Sequence, residues 1–594
     1  MPSNLPRAGG CREGSGDYTA PVPEISPDDT WRTFETVMET ALDRHTRLLS
    51  VADRGRIRAL LAEPPPARRL FVRLLDRQGP LFRVSRIRYV EIGDPVPVLE
   101  RLAASGFVRI DPPDAFADGS ALALLTVPEL RALAKDLGLP APSLKPDCLA
   151  LLATLPPEVR ISRLRAIDRF VALTDTQAFS LAEVAFFGDR HRDRKAFVLA
   201  ALGRASWMTV PLTDADPLFP TRADLVAYLA SAARADAAWM ASGTEAVLGP
   251  LAEAAKVDLA CRPALPPHRR RVDPARYDER VCLLAGRARE RAGDAKKASE
   301  WYRVVLEHGR TADGAAQAGD RLGLCLARTG GPVSDLRPLL DPWLASPRLH
   351  DPARFRLALR LHRLGLGPDP RADLRAPPLF DLTLEPMGHA ATKALWRVGS
   401  KAVPVELAVL EALGGDGVWG ENRIWSTLFG LLYWEVVFAP LPGAFQHPFQ
   451  EGPLDFDTED FAVLRADLLA ARNQALRAAD LDAEVRSCWA RRHGTRCRGV
   501  TWDLVPLDRL ARAAADMGPA LLALLGRIAR HPGRHVQGLP DLLVWSEGRP
   551  VLVEVKGPGD APSVEQALWH DALLRAGVSV RIVRVRPRAS PEAG

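Results

Sequence analysis

No two of the seven cysteines stand at the spacing of a zinc-ligand pair: they lie at 11, 148, 261, 282, 325, 488 and 497, and no Cys-x-x-Cys occurs. That excludes a cysteine-pair zinc module and fits reducing surroundings. An apolar segment near the start is also missing, because MPSNLPRAGGCREGSGDY offers nothing a secretory signal needs. Long hydrophobic runs are scarce too. The longest, STLFGLLYWEVVFAPLPGAF, is interrupted by Glu435, Pro440 and Pro442 and reads as a buried helix, not a bilayer span. The expectation is a cytoplasmic protein with no membrane partner, nucleoid-associated if the source is bacterial.

What is present is an ordinary globular composition, 47% hydrophobic and 26% charged over 594 residues, which is enough chain for roughly three to five modules. The net charge of +6 is carried mostly by arginine. Alone it points only weakly to nucleic acid, since Ala, Leu, Pro and Arg dominate everywhere. Residues 1–28, rich in Pro, Gly and Ser, read as a flexible tail. Pro-rich connectors near 63–66, 155–157, 262–267 and 367–378 mark the joints that follow. The divisions expected are an N-terminal helical domain (29–160), a helical linker region (161–275), a helical-repeat domain (276–400) and a C-terminal domain (401–594). Helix is expected to dominate up to about residue 535.

Within the first of these, Thr126 and Glu129 make a capping box ahead of an apolar face of Leu130, Leu133, Ala134 and Leu137 that stops at Gly138. A second short helix follows Pro146. This stretch, about 124–156, resembles a SAP module, whose family carries a lysine near the position of Lys145. A plain helical hairpin is the alternative. Around 276–308 two amphipathic helices flank Gly293–Asp294, with Gly286, Ala298 and Tyr302 where a tetratricopeptide (TPR) repeat places its packing residues. Basic clusters recur: Arg83, Arg86 and Arg88; Arg190 to Lys195; His268 to Arg271; and Arg491, Arg492, Arg496 and Arg498. One such run is usually a solvated face, but their recurrence suggests a phosphate-tracking surface.

The chemistry concentrates in GLPDLLVWSEGRPVLVEVKGPGD, residues 538–560. If Glu547–Gly548 is a two-residue hairpin turn, Asp541 lies opposite Glu554, and the period of two puts Lys556 on the same face. Opposed carboxylates repel and need a compensating cation. Oxygen ligands of this type suit Mg²⁺ or Mn²⁺, and Lys556 could steer or deprotonate a water or stabilise charge at phosphorus. A hairpin with charges on its wet face is the plainer reading. Against it stand the crowding of Leu542, Leu543, Val544, Val551, Val553 and Val555 and the helix-then-strand that follows.

GLPD, EVKGPGD and a helix bearing Gln566 and Trp569 closely resemble the VRR-NUC domain, a branch of the PD-(D/E)xK nuclease superfamily. GENRIWSTLFGLLYWEVVF and PFQEGPLDFDTEDF narrow the likeness to the Fanconi-associated nuclease family, across most of residues 70–594. The fold class implied is a multidomain, mostly α chain with a C-terminal α/β PD-(D/E)xK (VRR-NUC) nuclease domain. The resemblance implies that Asp541, Glu554 and the Val555 carbonyl bind metal together with Glu421, and that Lys556 is the catalytic lysine. Gln566 would be a positioning residue on the neighbouring helix, and Arg534 and His535 would contact a DNA phosphate. Glu565 departs from relatives that are basic there and touch a terminal phosphate. No ubiquitin-binding zinc finger is expected.

The activity implied is a metal-dependent DNA nuclease, a 5′-flap endonuclease and 5′-to-3′ exonuclease acting on branched or flapped duplexes in interstrand crosslink repair. Residues Arg83, Arg86, Arg88 and Lys145 are the expected N-terminal DNA contacts. A Holliday-junction resolvase and a non-catalytic DNA-binding scaffold are the rivals. Protein partners are not indicated.

Overall fold

The computed structural model describes residues 27–77, 79–190, 206–212, 216–241, 245–390, 393–557 and 559–588. Nearly all of the expected tail and residues 191–195 of the second basic cluster lie outside them. The chain forms two units, one of residues 58–176 with the chain before residue 37, the other of residues 37–57 and 177–594. No described helix is long and apolar enough to cross a membrane.

In the first unit the capping box forms, with Glu129 Oε2 accepting from the Thr126 N–H at 2.8 Å. The apolar face behind it is buried at Leu130, Leu133 and Ala134, and the chain turns off at Gly138 with φ of +67°. This unit also holds strand that the helical expectation missed. Leu81–Arg83, Phe170–Leu173 and Val108–Ile110 form an antiparallel sheet, with the second strand central. Strands of three or four residues are too short for alternation to register in a sequence.

In the second unit, Ala275–Arg291 and Ala295–His308 pack as a helical hairpin about Gly293. Gly286 is obligatory there. A Cβ on it would come within 2.6 Å of the buried Tyr302 ring. An ionic seam joins the helices that follow, between residues 313 and 356, to the C-terminal core. Asp313 takes Arg534 and, at 2.9 Å, His350 Nε2; Asp351 takes Arg527 at 3.0 Å; Glu459 takes Arg348; and Glu565 takes Arg356.

The C-terminal sheet has five strands in the order Leu379–Leu384, Ser579–Pro587, Arg549–Lys556, Leu542–Ser546, Gly417–Trp419. Glu547 and Gly548 both take positive φ (52° and 74°), the conformation of a two-residue hairpin turn. They set the register Leu542 to Val553, Val544 to Val551 and Ser546 to Arg549, as expected. Ser579–Pro587 then runs parallel to Arg549–Lys556, reached through the crossover helix Val564–Arg575. Leu379–Leu384 adds a further parallel strand from ahead of residue 401, inside a region expected to be helical. Its pairing partner is some 200 residues away, so no local pattern announces it.

Alternation sorts the sheet's two faces. Leu542, Val544, Val551, Val553 and Val555 join Val583, Val585, Ala408 and Val409 in one core. Leu543, Trp545 and Leu552 join Trp425, Leu428, Leu525, Trp569 and Leu573 in the other, on the side where Glu554 and Lys556 project. This larger core contains a buried ion pair. Arg465, 1% exposed, forks onto both oxygens of Asp455, donates through Nε to the Val436 carbonyl at 3.1 Å and lies over the Phe461 ring. Arg465→Met leaves Asp455 buried without its cation, so a loss of about 3–5 kcal/mol is expected. Urea denaturation of the variant checks it.

Candidate active site

The hairpin turn brings two acids to one place. One step beyond the last paired residues, the register sets Asp541 opposite Glu554, and Asp541 Oδ2 accepts from the Val555 N–H at 2.9 Å. Burial, reinforced by the neighbouring charge of Glu554, pushes the Asp541 carboxyl up to about 7. Glu406, in the first turn of the Val405–Ala412 helix, adds to that rise. Sequence reasoning did not find Glu406, and no pattern in its surroundings would have singled it out.

Glu554 is 1% exposed. Its Oε1 is held by Lys556 Nζ at 2.9 Å and by the Gln566 side-chain amide. Gln566 Oε1 in turn accepts from Lys556 Nζ (2.8 Å) and from the Ser563 N–H (2.9 Å), the latter as part of the capping box that starts the Val564–Arg575 helix. One residue thus both caps the helix and ties it to the acid and the lysine. Glu554 Oε2 has no hydrogen-bond partner and is buried. His570, one helical turn beyond Gln566, brings Nε2 to 3.8 Å from that oxygen. His570 was not singled out from the sequence. The signal was its spacing of four from Gln566, which places both on one helical face.

Glu421 comes from a different element. It follows the strand Gly417–Trp419, which pairs with Leu542–Ser546, and it is exposed at the start of the Asn422–Leu432 helix with φ of +46°. No cluster of three or more His, Cys, Asp or Glu side chains is gathered as a metal cage among the described residues. The chemistry of Asp541 and Glu554 nevertheless fits a divalent cation. Burial and the neighbouring Glu554 raise the Asp541 carboxyl, and the buried Oε2 of Glu554 remains without a donor.

The expected DNA contacts divide. Arg86 and Arg88 are exposed, and Arg88 lines an open groove with Tyr89 and Val90. Lys145 is half-buried and donates to the Ala123 carbonyl at 2.8 Å. Arg83 is a correction. It is 8% exposed and clamped between Glu129 and Asp168, and its hydrogen bond holds the Glu129 carboxyl down at about 2. His535 is a second correction: it is 4% exposed, with Nδ1 on the Arg527 carbonyl at 2.7 Å, so its ring serves packing. Arg534 is half-exposed and paired with Asp313. The basic runs at 268–271 and 491–498 are also largely engaged, with Arg269, Arg270 and Arg271 on Asp216, Asp460 and Asp189, and Arg492, Arg496 and Arg498 on Glu435, Glu451 and Asp457.

Two family models match, one described as the FAN1 HTH domain over residues 31–109 and one as the VRR-NUC domain over residues 476–587. Among curated proteins, the Fanconi-associated nuclease 1 homolog of Pseudomonas aeruginosa is 30% identical, across 96% of this chain and 98% of its own length. The Arabidopsis thaliana homolog is 28% identical across 93% of this chain, and Fanconi-associated nuclease 1 of Homo sapiens is 25% identical across 93%. The chain spans 66% of the Arabidopsis and 62% of the human protein. Among solved structures, paFAN1 bound to DNA with a 2-nucleotide 5′ flap and a gap superposes with a TM-score of 0.74 at 26% identity, covering 95% of this chain and 99% of that one.

Proposed function

Because the chain belongs to the Fanconi-associated nuclease 1 family, we propose that it is a structure-specific DNA nuclease that hydrolyses phosphodiesters at the Asp541–Glu554–Lys556 site. One observation carries the reading: a hairpin register that sets the half-buried Asp541 opposite the buried Glu554, with a lysine amine 2.9 Å from the latter. The preferred substrates are branched or 5′-flap duplexes, and the role is repair of interstrand crosslinks. Two structures of one relative, paFAN1, bound to 5′-flap DNA support the substrate class.

Asp541 and Glu554 would hold Mg²⁺ or Mn²⁺, with Glu421 and the Val555 carbonyl as the further ligands. The bound cation would polarise the phosphoryl oxygen and lower the pKa of a water. Lys556, tethered by Gln566, keeps its ammonium beside the acids, where it orients the attacking water or offsets charge at phosphorus. Gln566 fixes both partners from the crossover helix. Arg86, Arg88, Lys145 and Arg534 remain the proposed backbone contacts, which makes affinity fall steeply with salt.

The test is cleavage of labelled 5′-flap, nicked, four-way-junction and single-stranded DNAs with Mn²⁺ or with EDTA. Cutting of the flap substrate that needs the cation supports the reading. Tight binding without cutting would favour a scaffold, and preferential junction cleavage by a dimer would favour a resolvase.

A further inference from the structure

Glu554 has one oxygen in use and one without a partner. Oε1 receives Lys556 and Gln566, while Oε2 is buried with no donor. A stranded carboxylate oxygen is costly, so the group that faces it matters. That group is His570, 2% exposed, whose Nε2 is also buried without a partner and lies 3.8 Å from Oε2. Two complementary orphan atoms point at each other across the reactive acid. Gln566 and His570 are four residues apart on the Val564–Arg575 helix, so one helical face addresses both oxygens of a single carboxylate.

We infer that His570 is a positioning residue for the nuclease site and acts through Glu554 Oε2. In the tautomer with its proton on Nε2, the ring offers an N–H to Oε2 while the Gln566 amide holds Oε1. The carboxylate plane is then fixed from both ends by one rigid element, and the second lone pair of Oε2 is left for the cation. The present gap exceeds direct hydrogen-bond reach, and a shift of about 0.6–0.9 Å in either side chain closes it. Neither atom has a competing partner to oppose that shift. The role is that of an outer partner which orients a ligating carboxylate, where mutation typically costs about 10–100-fold in metal affinity or activity. The inference rests on the nuclease reading of this site.

The test uses the full chain as wild type, His570→Leu and His570→Gln. It measures kcat and KM on 5′-flap DNA, Mn²⁺ affinity without DNA by electron paramagnetic resonance, and thermal stability. Leucine fills the space without a donor; glutamine restores an N–H near the position of Nε2. The expected result for His570→Leu is a fall in kcat and in Mn²⁺ affinity of about 10–100-fold with KM for DNA unchanged. His570→Gln should recover most of both. A folded leucine variant within twofold of wild type in kcat and Mn²⁺ affinity overturns the inference, as does a glutamine variant as impaired as the leucine one. Should the leucine variant fail to fold, the glutamine variant decides: near-wild-type values support the inference and a tenfold loss overturns it. A wild type that neither cuts nor binds Mn²⁺ instead overturns the nuclease reading itself.

Discussion

Asp541→Asn is expected to end DNA cleavage and at the same time to yield a more stable protein. Loss of the ionised acid should lower kcat by at least about 10³-fold, beyond the ~10²–10³ typical for removal of one stabilising donor. The stability gain follows from the same burial. Burial and Glu554 raise the Asp541 carboxyl to about 7, so keeping it ionised in the folded protein opposes folding. Its proton affinity is raised above the unfolded value. The penalty is therefore absent below about pH 4, grows as pH rises toward 7 and is complete above that. The upper bound is about 4 kcal/mol. The hydrogen bond from the Val555 N–H, which favours the ionised form, is already contained in that value. A gain of up to about 4 kcal/mol is therefore expected at pH 8 in EDTA, and it should vanish near pH 4. Chemical denaturation at the two pH values, alongside single-turnover cleavage, gives the answer. An asparagine variant that cuts within tenfold of wild type, or that is less stable at pH 8, would contradict this account.

Acid should loosen the ionic seam well before it protonates most carboxylates. His531 and His535 are buried, and burial holds their rings neutral down to about 3 and about 4. Around them stand His350, Asp313 and Arg534, and, on the other side, Asp351, Arg527 and Arg530. Both folded-state values are depressed below that of an unfolded histidine. The contribution to stability is therefore complete above about pH 6.5 and is lost as pH falls toward 4 and then 3. Each ring contributes a slope of up to about 1.4 kcal/mol per pH unit across that window. The two rings together thus tilt stability by several kcal/mol between pH 7 and pH 4.5, against the opposite tilt from Asp541 over the same range. His535→Phe should flatten the slope by about one proton's worth, because it no longer takes up a proton on unfolding. Urea midpoints measured from pH 4.5 to 8 read this directly. A His535→Phe profile with the same slope as wild type between pH 6.5 and 4.5 would rule that ring out.

The hairpin and its acids could be read in advance because neighbours decide them. Glu547–Gly548 dictates the turn, the turn dictates the register, and alternation dictates which face Glu554 and Lys556 share. Charge runs carried less information. Arg83 looked like a phosphate contact, but its true partners, Glu129 and Asp168, lie 46 and 85 residues away. His535 sat in a basic stretch, yet its neighbours turn it inward onto the Arg527 carbonyl. A sequence gives the count of charges, while the fold decides which ones are already neutralised. His570 went unremarked for a related reason. A lone histidine in an apolar helix most often packs, and only the orphan oxygen across from it gives its ring a task.

The strand Leu379–Leu384 has a bearing on how this catalytic unit can be dissected or inherited. It lines the outer border of the sheet whose middle strand carries Glu554, yet it is encoded about 160 residues ahead of Asp541, beyond both the Lys393–Val403 strands and the Asn422–Leu432 helix. A fragment cut at residue 401 would leave Ser579–Pro587 with a bare row of amides and carbonyls, inviting sheet-to-sheet aggregation. The proposed catalytic portion is accordingly not a portable C-terminal cassette. Duplication, fusion or expression of this activity has to carry the chain from about residue 379 onward.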